Sequence, residues 1–157
     1  MCSACLVFPI ENAAAQIISG KPVLRSYENE LTLLRTDLRA DVREIMRTNF
    51  VLPQDQAEEF WPIYVKYEAE SGAIWDEKHA LIKEYVGKRE RLSDDDAQDI
   101  MDDLFDLDDR TTKLRRRYFR IIKREVSATV ALRFMQLDRR VNSLVEIQLA
   151  QDIPLAK

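Results

Sequence analysis

The fold is decided by residues 60–85, which read FWPIYVKYEAESGAIWDEKHALIKEY. One set of positions in this stretch recurs at alternating spacings of four and three, the spacing that keeps side chains on one face of a helix. These positions are Phe60, Tyr64, Tyr67, Ser71, Ile74, Lys78, Leu81 and Tyr85. A neighbouring stripe carries Trp61, Val65, Gly72, Trp75, His79, Ile82 and Val86. The stretch predicts a long helix whose apolar face is broader than contact with one other helix requires.

A second long helix with a matching stripe is predicted after a short connection. Its stripe positions are Ala97, Ile100, Leu104, Leu107, Thr111, Leu114, Tyr118 and Ile121. In the connection, residues 87–92, Gly87 suits a helix C-cap. Ser93, which precedes three aspartates, suits the N-cap of the next helix. Two coiled-coil-like stripes of similar length joined in this way predict an antiparallel helical hairpin.

Two further amphipathic helices are predicted, one on each side of the hairpin. The first covers residues 24–48 and has apolar positions Leu31, Leu34, Leu38, Val42 and Ile45. The last follows the N-cap Ser127 and has stripe positions Val130, Phe134, Leu137, Val141, Leu144 and Gln148. The predicted fold class is therefore all-α, with four amphipathic helices in one domain over residues 24–150 and a tail over 151–157. Three glycines and five prolines supply too few turns for a sandwich or barrel.

The first 15 residues have features of a truncated export signal. An apolar run over residues 4–10 is followed by Ala13 and Ala15, whose spacing precedes a signal-peptidase cut. The usual basic segment is missing, which a start codon further upstream would explain; the alternative is a flexible N-terminal arm. We expect residues 1–15 to be a signal peptide and residues 16–23 to be a flexible arm. Removal of Cys2 and Cys5 would suit an oxidising compartment, and their C-x-x-C spacing has no second pair to complete a zinc site.

Charge and motif content argue against an enzyme and against nucleic acid as a partner. The net charge of −4 is not the basic footprint that phosphate binding needs. The chain has no glycine-rich phosphate loop, and no nucleophile is marked out beside His79, the only histidine. We predict no catalytic residue, no cofactor and no metal site. No apolar run reaches the roughly 18 residues that span a bilayer, so no membrane-spanning segment is predicted.

The second long helix is strongly polarised in charge. Its first half carries nine aspartates and its second half eight arginines and lysines, an order that offsets the helix dipole. A cation site at Asp99, Asp102, Asp103 and Asp106 is an alternative, although hard cations usually take six or more oxygens from a loop. A second alternative is contact of the basic half with an acidic partner or lipid headgroups.

Six aromatic residues of the quoted stretch have two interpretations. They are Phe60, Trp61, Tyr64, Tyr67, Trp75 and Tyr85. The simpler interpretation is that these rings form the core between helices. The alternative is that a long, thin hairpin leaves some of them on an open face, where a broad apolar patch would bind clients.

The stretch Leu52-Pro53-Gln54-Asp55-Gln56 resembles the L-T-x-x-Q motif of the Spy/CpxP family of periplasmic stress proteins, with Leu52, Pro53 and Gln56 at the motif positions. Pro53 replaces the threonine that caps the helix in that family. A fainter copy lies at residues 126–130, and the resemblance covers roughly residues 30–150. It implies export to the periplasm, a curved helical homodimer, and ATP-independent binding of unfolded proteins. Metal-responsive relatives use several histidines, so the single His79 argues against metal sensing.

Two functions are left open by this resemblance. The first is a chaperone-like protein that binds unfolded or stressed proteins through an apolar helical face. The second is a structural or regulatory protein that docks on one envelope partner, such as the periplasmic domain of a sensor kinase, without general chaperone activity.

Overall fold

The computed structural model describes residues 42–153, 155 and 156, and every regular element in this part of the chain is a helix. Residues 42–49 are helical and are named α1 here. They are followed by α2 (Gln54–Lys88), a 3-10 turn (Arg89–Arg91), α3 (Asp94–Glu125) and α4 (Ala128–Asp152). The predicted all-helical fold class is confirmed for these residues. The predicted signal peptide, the arm and residues 24–41 of the helix predicted over 24–48 lie outside them.

None of the described helices combines the length and the apolar character that crossing a membrane requires.

The N-termini of α3 and α4 are capped by the two serines that the sequence marks. The backbone N–H of Asp96 donates to Ser93 Oγ at 3.1 Å, and the Ser93 N–H donates to the Asp96 carboxylate at 3.3 Å. This reciprocal pair is a capping box, which satisfies two backbone donors at the helix start. Ser127 Oγ accepts from the backbone N–H of Val130 at 3.1 Å. Both predicted N-caps are confirmed.

The start of α2 lacks such a cap, because the side chain of Pro53 has no hydrogen-bond acceptor. Pro53 adopts an extended backbone with φ −53° and ψ 153°, and makes no capping hydrogen bond to the described residues. Its carbonyl accepts from the N–H of Ala57 at 2.9 Å, which begins the helical ladder. Gln54 donates to the Glu58 carboxylate at 3.1 Å and adds a side-chain bond across the first turn.

The predicted C-cap role of Gly87 is wrong. α2 continues through Gly87 to Lys88 and then tightens into the 3-10 turn, and no described glycine has a positive φ. Lys88 instead links the two ends of the connection: its ammonium lies 2.8 Å from Glu84 of α2 and 3.1 Å from Asp96 of α3. The charge of Lys88 at the helix end therefore replaces the left-handed glycine that the sequence predicts.

Replacing Gly87 by alanine should stabilise the protein by about 0.5–1 kcal/mol, because glycine is a poor helix former. An added Cβ at this position has no described atom within 4 Å, so no clash offsets the gain. Thermal unfolding followed by circular dichroism measures the change. Ser93→Ala, a few residues further on, is the control of opposite sign and should cost about 1 kcal/mol through the lost cap. A destabilised Gly87→Ala protein would contradict the helical assignment.

Ion pairs align α2 with α3, and the residue number falls along α2 as it rises along α3. Lys88 pairs with Asp96, Lys78 with Asp108 at 3.2 Å, and Arg110 donates to Glu77 at 2.6 Å. Arg117 pairs with Glu70 at the other end. These partly exposed pairs set the register of the two helices more than they stabilise them.

The main core lies at the end of the molecule where α1, α2, α3 and α4 meet. Its buried members are Met46, Phe50, Phe60, Tyr64, Tyr67, Leu114, Tyr118, Ile122, Val130, Ala131 and Phe134. Phe134 of α4 has edge-to-face contacts with Phe60, Tyr64 and Tyr67, with ring centroids 5.1–6.1 Å apart. A smaller cluster along α4 joins Val145 and Leu149 to Trp75, Ile82 and Val42. The groove described next runs between these two clusters.

Candidate functional site

A groove with a volume of about 490 Å³ lies against α1, α2 and α4. α1 contributes Val42, Arg43 and Met46, and α4 contributes positions from Asp138 to Leu149. The α2 wall runs from Tyr64 to His79.

Small and apolar side chains on α2 make room for this groove. Ala69, Gly72 and Ala73 line it and project little or nothing into it. Val65 also lines the groove and is 61% exposed, although an aliphatic side chain gains free energy when it leaves water. An open apolar wall of this kind can accept apolar groups from another chain segment.

The floor of the groove carries a buried hydrogen-bond network centred on Asp138. This carboxylate is 7% exposed, and it accepts from the Tyr67 hydroxyl at 2.7 Å and from Arg115 Nε at 2.8 Å. Asn142 donates to the Asp138 carbonyl at 2.7 Å, and Trp75 Nε1 donates to Asn142 at 3.4 Å. Burial and the adjacent Asp138 charge raise the pKa of Tyr67 well above its ordinary value. The floor is therefore a fixed polar scaffold whose members are occupied with one another.

The sequence contains a signal for Asp138 that the stripe positions of α4 do not include. Asp138 lies four residues after Phe134 and three before Val141, so it occupies a seam position of α4. A carboxylate at such a position requires a buried partner, because an unpaired buried charge is costly. Arg115 and Tyr67 supply that partner from α3 and α2.

Three of the six aromatic residues considered for client binding are buried in the main core. Phe60, Tyr64 and Tyr67 are 0%, 5% and 4% exposed, because Phe134 of α4 packs across them. Phe60 does not line the groove, whereas Tyr64 and Tyr67 line it with the small part of their surface that stays open. The simpler interpretation, that they are core, describes them.

The other three aromatic residues keep part of their surface open. Trp61, Trp75 and Tyr85 are half-buried, and only Trp75 lines the groove. Of the motif residues, Leu52 packs against the main core and Gln56 is half-buried, while Pro53 is exposed.

The histidine and the aspartates that the sequence offered for metal binding do not form a metal site among the described residues. His79 is buried and lines the groove beside Trp75, which places it on the predicted stripe. The described residues hold no group of three or more histidine, cysteine or acidic side chains that could bind a metal ion. Of the four aspartates considered for a cation, Asp106 lies 3.8 Å from Arg110 and all four are exposed. This part of α3 fits the helix-dipole interpretation.

Comparison with protein-family models, curated protein sequences and solved structures gives no match to this chain.

The Tyr64 hydroxyl predicts a loss of stability at alkaline pH. Burial raises the pKa of Tyr64 to about 12, whereas a tyrosine in an unfolded chain titrates near 10. Between these values the unfolded chain releases the proton and the folded chain keeps it. Stability that is complete below about pH 10 should therefore fall by up to about 1.4 kcal/mol per pH unit toward pH 12.

Tyr64→Phe removes this titration, so the variant should lose less stability than the wild type between pH 10 and 12. Urea unfolding at pH 7, 10 and 11.5 measures both proteins. Equal losses in the two proteins would show that Tyr64 does not hold its proton in the folded state.

Proposed function

We propose that this protein is a non-enzymatic periplasmic stress protein of the Spy/CpxP kind, which binds apolar segments of unfolded proteins in the groove between α1, α2 and α4. The observation that carries the proposal is the groove itself, with its exposed Val65 wall and its hydrogen-bonding floor. Its volume of about 490 Å³ falls in the range of about 300–1,000 Å³ that accommodates small ligands, or a few side chains of a peptide.

The motif at residues 52–56 and the helix order support the same proposal. In it, α2 and α3 are the arms of an antiparallel hairpin, and the falling and rising residue numbers of their ion pairs support that arrangement. The resemblance also implies a homodimer, which forms part of the proposal.

The chemistry of the groove favours binding over catalysis. The Asp138 carboxylate is already paired with Arg115 and hydrogen-bonded by Tyr67, so its oxygens are occupied by donors of the protein itself. The walls supply apolar contact, and the polar groups of Trp75 and Asn142 are bonded to each other. These are the properties of a surface that binds apolar chain segments with little sequence preference.

A regulatory protein that docks on one envelope partner is the second candidate. The observation that favours it is on α3, where Met101 and Phe105 are exposed one helical turn apart among aspartates. An apolar pair with a negative surround suits a single partner with a basic, partly apolar surface.

Suppression of client aggregation tests the proposal. Light scattering of a reduced, unfolding client protein should fall when the protein is added at near-stoichiometric ratios. Val65→Glu places a carboxylate on the groove wall and should abolish suppression, because a charge there opposes apolar binding. Leu132→Glu is the matched control, since Leu132 is 53% exposed but does not line the groove.

The control variant should suppress aggregation as the wild type does. If the wild type does not suppress aggregation, or if both variants behave alike, the groove proposal fails. Absent suppression together with a specific complex from envelope extract would favour the docking candidate.

A further inference from the structure

We propose that two copies of this chain associate through the outer face of α3, with the two α3 helices side by side and antiparallel. The aspartates in the first half of each helix then lie beside the arginines and lysines in the second half of the other. This interface does not rest on client binding, and it gives a form to the homodimer that is part of the proposed function.

The outer face of α3 carries a stripe of nine charged residues, named the charged stripe here. Its acidic half is Asp95, Asp99, Asp102, Asp106 and Asp109. Its basic half is Lys113, Arg116, Arg120 and Lys123. The spacings alternate between four and three from end to end, which keeps the side chains on one face of the helix. A face of this kind can lie along a second helix.

The charged stripe is turned away from the core. From Asp99 onward, each of its positions follows by two residues a position of the apolar stripe that contains the buried Leu107 and Leu114. Two residues turn a helix by about 200°. All nine charged residues are exposed, and their one ion pair to another described residue joins Asp106 to Arg110 at 3.8 Å. The charges therefore face solvent and are available to a partner.

The helix dipole does not account for the middle of the charged stripe. Its influence falls off within the first and last turns of a helix. α3 spans Asp94–Glu125, so Asp106, Asp109 and Lys113 lie about three turns or more from both ends. The sign of the charge nevertheless changes sharply between Asp109 and Lys113. A contact between two copies gives these central charges a role that the dipole does not.

One arrangement of two copies places opposite charges side by side along the whole contact. It is an antiparallel pair with its two-fold axis between positions 109 and 113. Across the axis the pairs are Asp109 with Lys113, Asp106 with Arg116, Asp102 with Arg120, and Asp99 with Lys123. The axis repeats each pair, so one surface serves both copies.

Other registers of the two helices bring like charges together. A shift by one heptad places Asp106 beside Asp109 in one direction and Lys113 beside Arg116 in the other. A parallel pair in register places aspartate beside aspartate through the whole first half. Because like charges side by side are unfavourable, the charge pattern selects both the antiparallel direction and the register.

Two exposed apolar side chains border the charged stripe. Met101 and Phe105 are 42% and 61% exposed, and each directly precedes an aspartate of the stripe. A helix lying on the stripe would cover part of both, which adds apolar burial to ion pairs that are individually weak. Because salt screens exposed charges, the dissociation constant of the dimer should rise about tenfold or more between about 50 and 500 mM NaCl.

Mixing two charge-reversed variants of the full chain tests the interface. The acidic variant is Arg116→Asp with Arg120→Asp, and the basic variant is Asp102→Arg with Asp106→Arg. Each alone brings like charges together, so its dissociation constant should rise about 100-fold or more over wild type in sedimentation equilibrium. An equal mixture restores every opposite-charge pair and should dimerise as the wild type does.

The control variant is Lys66→Asp with Arg140→Asp, which makes the same change of charge at exposed positions of α2 and α4. It should self-associate as the wild type does, and circular dichroism should show equal helix content in all variants. A wild type that is monomeric in 50 mM NaCl, or a mixture that stays monomeric, would overturn the inference.

Spin labels test the antiparallel direction without reversing a charge. In a Cys2→Ser, Cys5→Ser background, labels at Thr112→Cys lie near the two-fold axis and should be close to each other. Labels at Gln98→Cys should lie about 40 Å apart, because the two copies of this position are at opposite ends of the contact. Close labels at both positions would contradict the antiparallel pair.

The aggregation assay separates this inference from the proposed function. Dimerisation of the mixed variants without client suppression by the wild type would leave the interface standing and sink the chaperone function. Client suppression by a wild type whose self-association neither variant changes would overturn the interface and leave the groove proposal standing.

Discussion

Replacement of Phe60 by alanine is expected to lower the free energy of unfolding by about 3–5 kcal/mol. Phe60 is fully buried, and its ring contacts Phe50, Trp61, Tyr64 and Phe134 with centroids 4.6–6.0 Å apart. Removal of the ring leaves a cavity that these aromatic neighbours cannot close, since they are held by one another. Urea unfolding followed by circular dichroism measures the loss.

The matched control for Phe60→Ala is Phe105→Ala. Phe105 is 61% exposed on α3, so its removal should change the free energy of unfolding by no more than about 0.5 kcal/mol. The comparison of Phe60→Ala with Phe105→Ala also tests whether Phe60 is a core residue or a client-binding residue. If Phe60 were a client-binding ring, Phe60→Ala would keep its stability and lose binding. That result would contradict the structure.

Replacement of Asp138 by alanine should cost about 3–5 kcal/mol, because it leaves the Arg115 charge and the Tyr67 hydroxyl without their acceptor in a partly or fully buried site. Asp108→Ala removes a carboxylate from an ion pair with Lys78 that is open to solvent. That change should cost about 1 kcal/mol or less. Thermal unfolding of both variants, measured side by side, gives the comparison.

A double variant shows whether the penalty comes from the stranded charge. Arg115→Met combined with Asp138→Leu replaces the buried pair by apolar groups, and it should recover most of the stability that Asp138→Ala loses. If the double variant is as unstable as Asp138→Ala, packing at this point and not the uncompensated charge of Arg115 sets the cost.

The positions of the helices can be predicted from the sequence wherever interactions between residues close in the chain determine them. Spacing alone places α2 and α3, and Ser93 and Ser127 mark two helix starts because a serine side chain can accept the first free N–H groups. Gly87 shows the limit of such local signals. A glycine near a helix end suits a left-handed cap, but Lys88 closes the connection through Glu84 and Asp96, and Asp96 belongs to the next helix.

The groove could not be derived from the sequence for a related reason. Whether an aromatic stripe is core or open surface depends on which helix packs over it. Phe134 covers Phe60, Tyr64 and Tyr67, while the small residues Ala69, Gly72 and Ala73 leave the adjoining wall open. Asp138 was detectable as a charge in a seam, but its partners lie on two other helices.

The claim that clients bind in the groove is tested most directly by mapping where an unfolding client contacts the protein. A benzophenone amino acid placed at Val65, on the groove wall, should crosslink to a reduced, unfolding client on illumination. The same group at Leu132, which is also more than half exposed but lies away from the groove, should give little product. Client adducts at position 65 in clear excess over position 132 are the predicted result. No adduct at position 65, or equal yields at the two positions, would contradict the groove as the binding site.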